Sequence, residues 1–137
     1  MGVASSSARY KQNILPIAVA ESEKVHQLRP VSFHYKTEAS GPLQYGLIAE
    51  EVAKVYPDLV TWDETGEITG VRYEALTPIL LKELQGQHQQ MQAVLQQVAT
   101  QAQQLADLKL QNDSLRAAVE RLQGAETVAL TTASNLQ

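Results

Sequence analysis

Residues 83–123 read ELQGQHQQMQAVLQQVATQAQQLADLKLQNDSLRAAVERLQ, and this stretch decides the architecture. It holds no proline, no aromatic residue and one glycine, Gly86, while glutamine supplies 12 of its 41 positions. Leu84, Met91, Val98 and Leu105 recur every seven residues, and His88, Leu95 and Ala102 fall four after the first three. That spacing is the d/a seam of a heptad repeat, which keeps a narrow stripe turned toward a partner helix. After Leu105 the stripe shifts by three, to Leu108, Leu115 and Leu122, with Asn112 and Val119 between them. A stammer of this kind locally overwinds a supercoil. A long helix with a two-sevenths stripe cannot bury that stripe by itself. No turn signal lies between Gly86 and Gly124 to fold it back, so the expected partners are copies of the same chain. His88 and Asn112 occupy core-type positions, where polar residues set register and oligomer number at some cost in stability. Gly124 to Gln137 is small and polar and is expected to fray.

Upstream of Lys82 the composition changes. All five prolines, all five tyrosines, Phe33 and Trp62 lie there. Pro16 precedes a short helical stretch with Glu21, Val25 and Leu28 at helical spacing, which Pro30 must end. Val31 to Lys36 alternates Val31, Phe33 and Tyr35 and predicts a strand, with a loop from Thr37 to Pro42. Tyr45 to Ile48 is a second short apolar run. Glu50 to Tyr56 reads as a helix, with Val52 and Val55 on one face and Pro57 just beyond its end. Leu59 to Trp62 and Ile68 to Tyr73 are strand-like, and Asp63 to Glu67 between them has hairpin-loop composition. Thr77 suits an N-cap and Pro78 the first position of the long helix.

The expected fold class is therefore α+β. A small mixed head with short strands and helices (6–78) precedes a long C-terminal helix (79–123) forming a dimeric or trimeric coiled coil or helical bundle. A remnant (1–5) stands before the head and a flexible tail (124–137) follows the helix. A head of this size buries only about 60% of its unfolded surface and is marginal alone. Attachment through the helix would add burial.

Composition removes most function classes. The chain has 137 residues, of which 44% are apolar and 19% charged, with a net charge of −4. No run of about 18 apolar residues is present to span a bilayer. The N-terminus has neither the basic nor the apolar region of a signal peptide. Without a dense basic cluster, a nucleic-acid or anionic-membrane partner lacks electrostatic support. There is no cysteine, so disulfides, zinc thiolates and a cysteine nucleophile are excluded. His26, His34 and His88 show no ligand spacing, and no metal or cofactor is expected. Neither a glycine-rich phosphate loop nor a nucleophile elbow occurs.

The remaining candidate for chemistry is Ser5-Ser6-Ser7-Ala8-Arg9-Tyr10-Lys11-Gln12-Asn13-Ile14. A lysine amine can take a serine proton when its own pKa falls from about 10.4 toward roughly 7 or 8. Desolvation or a neighbouring cation lowers it, and alternation in an extended chain would put Arg9 on the face of Lys11. Spacing alone does not separate this from a polar N-terminal arm.

The order of motifs adds to that reading. Ser6-x-x-Arg9-x-Lys11-x-Asn13-Ile14, then Leu28-Arg29-Pro30-Val31-Ser32-Phe33-x-Tyr35-Lys36, resembles the peptidase S74 family, the C-terminal intramolecular chaperone domains of phage endosialidases, tailspikes and tail fibres. Tyr45-Gly46-Leu47-Ile48-Ala49-Glu50-Glu51-Val52 and Tyr56-Pro57-Asp58-Leu59-Val60 are similar to its central G-(F/L)-I-A-(Q/E)-(E/D)-V and P-(E/D)-L-V blocks. Val71-x-Tyr73-x-x-Leu76 before a long helix matches its end.

The resemblance implies a homotrimer that sets an upstream passenger of the same polypeptide in register and then releases itself. By position, Ser6 is the nucleophile, Lys11 the base and Ser5–Ser6 the scissile bond. The setting it implies is the host cytoplasm during virion assembly. The family usually has Asp after the serine, where this chain has Ser7. That departure keeps a first alternative open, a non-cleaving trimerisation cap that stays attached to its fibre; a second alternative, independent of it, is a processing module of a regulatory protein. Met1 to Ala4 reads as a start appended to a fragment.

Other residues carry plainer expectations. Arg29 would hydrogen-bond carbonyls at a helix end. Glu50 and Glu51 point about 100° apart on a helix, so they form a solvated face or a partner for Arg29 or Arg9 rather than a carboxylate dyad. Trp62 is expected in core or interface packing, His34 at the surface or an interface.

Overall fold

A computed structural model of the chain describes residues 5–38 and 40–137. The first secondary element after the N-terminal turn is α1 (Val19–Ser22), continued by a 3-10 stretch, Glu23–Gln27. It ends at Leu28, two residues before Pro30, as the proline requires. Strand β1 (Val31–Phe33) pairs antiparallel with β2 (Gln44–Gly46), with Ser32 opposite Tyr45. The strand expected to reach Lys36 stops at Phe33, and Lys36–Glu38 forms a 3-10 turn. There the Glu38 N–H donates to the Tyr35 carbonyl at 3.0 Å, a local bond that replaces ladder pairing.

Helix α2 (Ala49–Val55) follows, with Glu50 and Glu51 in its first turn and Lys54 in its last, the order that suits the helix dipole. Strands β3 (Val60–Trp62) and β4 (Ile68–Val71) form a hairpin with a bulge at Thr61/Trp62. Its loop is organised by Asp63, whose Oδ1 accepts the N–H groups of Thr65 and Glu67, both at 2.9 Å. Gly66 there has φ +82°, where a side chain would be strained. The two sheets are separate two-stranded pairs.

Helix α3 runs from Tyr73 to Asn135. The chain divides into two units, 1–89 and 90–137, so α3 begins in the first and makes up most of the second. Its boundaries correct the sequence reading at both ends. The Arg72 carbonyl accepts from Ala75 (3.0 Å) and Leu76 (3.4 Å), so the first turn is Tyr-Glu-Ala-Leu. Thr77 is therefore inside the helix, its hydroxyl donating back to the Tyr73 carbonyl at 3.2 Å. Pro78, also interior, lacks only the N–H that would have reached the Glu74 carbonyl. At the other end, the segment expected to fray is helical to Asn135. Gly124 costs about 1 kcal/mol in a helix interior, too little to stop one already propagating. Thr127, Thr131 and Thr132 donate to the carbonyls four residues earlier, so their hydroxyls do not compete with the helix.

The core of the first unit is small. Val52, Tyr56, Leu59, Val60 and Leu76 are its buried hydrophobic residues, with Val25, Leu28, Leu47, Ile68, Val71 and Ile79 packed around them. It thus joins α2, the β3–β4 hairpin and the first turn of α3. Trp62 is not part of it: it is 56% exposed on β3, where the bulge at Thr61/Trp62 breaks the alternation that would have put it on the face of Val60. In the second unit, 90–137, no residue is buried.

Candidate functional site: the Ser6–Lys11 turn

The site is built by a single 3-10 turn, Ala8–Tyr10. The Tyr10 N–H donates to the Ser7 carbonyl at 3.1 Å, and the Lys11 N–H to the Ala8 carbonyl at 3.0 Å. This turn doubles the chain back so that Lys11 Nζ lies 3.0 Å from Ser6 Oγ. Asn13 then takes a left-handed conformation, φ 54°, which asparagine tolerates better than most residues. The meeting of Ser6 and Lys11 is thus made within one chain, by a turn.

The separation lies within the reach a general base needs. As an ammonium, Lys11 donates to the hydroxyl; as a free amine it can accept the hydroxyl proton. Ser5, Ser6, Ser7 and Lys11 are all exposed. Ser7 is the N-cap of the turn, but its side chain makes no capping bond. Arg9 stacks its guanidinium over the Tyr10 ring, 4.7 Å from the centroid, and this is its described contact. The expected place for Arg9 beside the lysine amine rested on an extended chain, which the turn replaces.

For Arg29, the expectation of helix-end carbonyls fails and that of a glutamate partner holds, here within one chain. Instead of helix-end carbonyls it grips Glu51, donating from Nε to Oε2 at 3.2 Å and from its terminal nitrogen to Oε1 at 2.5 Å. The hydrogen bond from Arg29 holds the Glu51 carboxyl below the usual carboxylate range. Glu50 does not join it, as adjacent helical positions diverge.

A second polar cluster had no local signal in the sequence. Ser22, only 1% exposed, has the Val19 carbonyl at 3.0 Å and Glu83 Oε2 at 3.1 Å as acceptors for its hydroxyl. His26 Nε2 lies 2.8 Å from Glu83 Oε1, and Gln87 donates to the same oxygen at 3.1 Å. Tyr56 donates its hydroxyl to the Glu21 carbonyl at 2.6 Å, and burial pushes the phenol above its ordinary pKa. These contacts fasten α1 and its 3-10 extension to α2 and to the start of α3. Ser22 and His26, four apart on one helical face, were the visible half of the pattern. Their partner lies 57 to 61 residues away.

The seam residues of α3 are exposed. Leu84, Met91, Leu95, Val98 and Leu105 are between 54% and 65% exposed, and His88 and Ala102 are exposed as well. Among the described residues there is no group of acidic and histidine side chains able to hold a metal ion. Among the described residues no helix is long and apolar enough to cross a membrane.

No curated protein matches the chain. Residues 6–61, from the serine of the turn to the middle of β3, match the model of the Peptidase_S74 family, chaperone of endosialidase, which bears out the resemblance read from the motifs.

Proposed function

We propose that the chain is an intramolecular chaperone that trimerises through α3, aligns an upstream passenger of the same polypeptide and then cuts itself free at Ser5–Ser6. The 3.0 Å approach of Ser6 and Lys11, at the first residues of the family match, is the observation that carries this reading. Lys11 Nζ takes the Ser6 hydroxyl proton as Oγ attacks the Ser5 carbonyl carbon. The Ser5–Ser6 C–N bond breaks, and the proton passes from Lys11 to the departing Ser6 amine. The resulting ester on Ser6 Oγ is hydrolysed by water, leaving a Ser5 carboxylate and a free Ser6 hydroxyl. Because the attacked bond is in the same chain, proximity supplies much of the rate and no open pocket is needed.

A lysine serves as a base once its amine has lost water. Lys11 is exposed in the single chain, so the cover comes from assembly. Cleavage thereby waits until copies and passenger are docked. Three extended chains align slowly and expose strand edges, and an associated C-terminal domain raises their local concentration. Scission then makes the product irreversible. The setting is the host cytoplasm during virion assembly.

A second reading, a trimerisation cap that stays attached to its fibre, is favoured by Ser7, which stands where the family usually has Asp and whose side chain makes no capping bond to the turn. A passenger fused upstream of Ser5 separates the two. The self-cleaving protein splits into two bands, and Ser6→Ala and Lys11→Ala stay whole. An unprocessed parent chain that still assembles establishes the cap instead.

A further inference from the structure

Between Glu83 and Asp107 the helix carries no aspartate, glutamate, lysine or arginine, although the chain as a whole has 26 such residues, 11 basic and 15 acidic. His88 is the one titratable side chain in that interval, and it stands at a seam position. We infer that this charge-free interval is where copies of the chain meet, and that His88 makes the meeting pH-dependent, releasing the copies as pH falls. The inference rests on the trimerising role proposed above and adds its regulation.

The occupant of the exposed stripe follows from charge. The positions flanking the seam are Gln85, Gln87, Gln92, Val94, Ala99 and Gln101. Charged flanking residues are how a helix selects an unlike partner or rejects its own copy. Here an identical helix meets no repulsion, and a charged partner finds nothing to pair with.

The same absence of charge leaves an imidazolium uncompensated. The hollow beside Gly86 that His88 lines is walled by α3 residues only, and Lys82 is its charged member. Glu83, the nearest carboxylate along the helix, is already engaged by His26, Ser22 and Gln87. In a parallel, in-register assembly His88 would face the same residue of its neighbours, while Lys82 and Glu83 fall outside the stripe of Leu84, His88 and Met91. Neutral imidazoles pack at a seam; charged ones repel across it. The separated chains therefore bind more protons than the assembly, and lowering the pH drives dissociation.

Sedimentation velocity of the full chain from pH 8 to pH 5 tests this, with helicity followed in the same samples. The dissociation constant of the wild type should rise by about tenfold or more across that range. His88→Leu should assemble more tightly and lose that dependence, even though His26 and His34 remain to titrate. Wild-type assembly unchanged between the two pH values overturns the switch and leaves the trimer reading standing. A pH dependence that survives in His88→Leu overturns it too. Monomers throughout, at tens of micromolar, overturn the self-association reading and this inference with it.

Discussion

The Tyr73 hydroxyl stands where a side chain on residue 46 would begin. A Cβ placed on Gly46 would come within 2.7 Å of that oxygen and 3.4 Å of Phe33 Cε1. The hydroxyl accepts the Leu47 N–H at 2.8 Å, so the first residue of α3 is pinned to the end of β2. This gives the glycine of the Tyr45-Gly46-Leu47-Ile48 block a physical reason that has nothing to do with backbone freedom.

Gly46→Ala should therefore destabilise the head by about 1–3 kcal/mol, the usual cost of overpacking. Tyr73→Phe should cost about 0.5–1.5 kcal/mol through the lost hydrogen bond. In the double variant the alanine should cost less than it does alone, because the oxygen it strikes is gone. Urea midpoints of the four proteins measure this, and strictly additive values would refute the steric account.

The N-cap position of the Ala8–Tyr10 turn suggests a gain of function. An aspartate at residue 7 can accept an N–H of the 3-10 turn, which the present serine side chain does not. Ser7→Asp should speed self-cleavage of a passenger fusion several-fold, followed as the fraction split with time. A slower reaction would mean that the carboxylate is not what the turn lacks.

Glu83 is one of the head carboxylates held below the usual range. The hydrogen bond from His26 is the largest cause of its lowered pKa; those from Gln87 and Ser22 and the His26 charge add to it, while desolvation opposes them. A carboxylate with a depressed folded-state pKa stabilises above its ordinary value and loses that contribution as pH falls through the depressed one. Wild type should accordingly melt higher than Glu83→Gln at neutral pH, with the two melting temperatures converging in acid. A constant gap across the titration would assign the difference to packing.

The two units should respond separately to truncation of a leucine. Leu76 is 6% exposed within the core, and Leu76→Ala should cost about 2–5 kcal/mol, enough to unfold a marginal head. Leu115, 66% exposed on α3, has no core to leave. Leu115→Ala should keep the head within about 0.5 kcal/mol of wild type while weakening association of the chains. Calorimetry and sedimentation on the same samples distinguish the two effects.

The elements that sequence periodicity located are those whose causes are local. Val52 and Val55 on one face, with Pro57 beyond, mark α2. The Asp63–Glu67 loop between two β-rich runs marks the β3–β4 hairpin, and the proline-free interval after Lys82 marks a long helix. The start of α3 was misread for an equally local reason, since Thr77-Pro78 has good cap chemistry. A start five residues earlier wins because the Tyr73 hydroxyl finds the Leu47 N–H, a partner that helix periodicity does not reveal. Ser6 and Lys11 could be named from residue type and family order, while their separation depended on whether the chain between them was extended or turned.

Sequence by itself determined the helix and its seam, the separation of an aromatic-rich first half from a glutamine-rich second, and the absence of thiol chemistry. Each follows from residue type repeated over short spacing. Tertiary structure alone chose Glu51 over Glu50 for Arg29, and alone decided that Glu83 collects Ser22 and His26 and that Gly46 must make room for Tyr73. Such pairs arise when packing brings distant positions together, and the energy of one contact leaves no periodic trace along the chain.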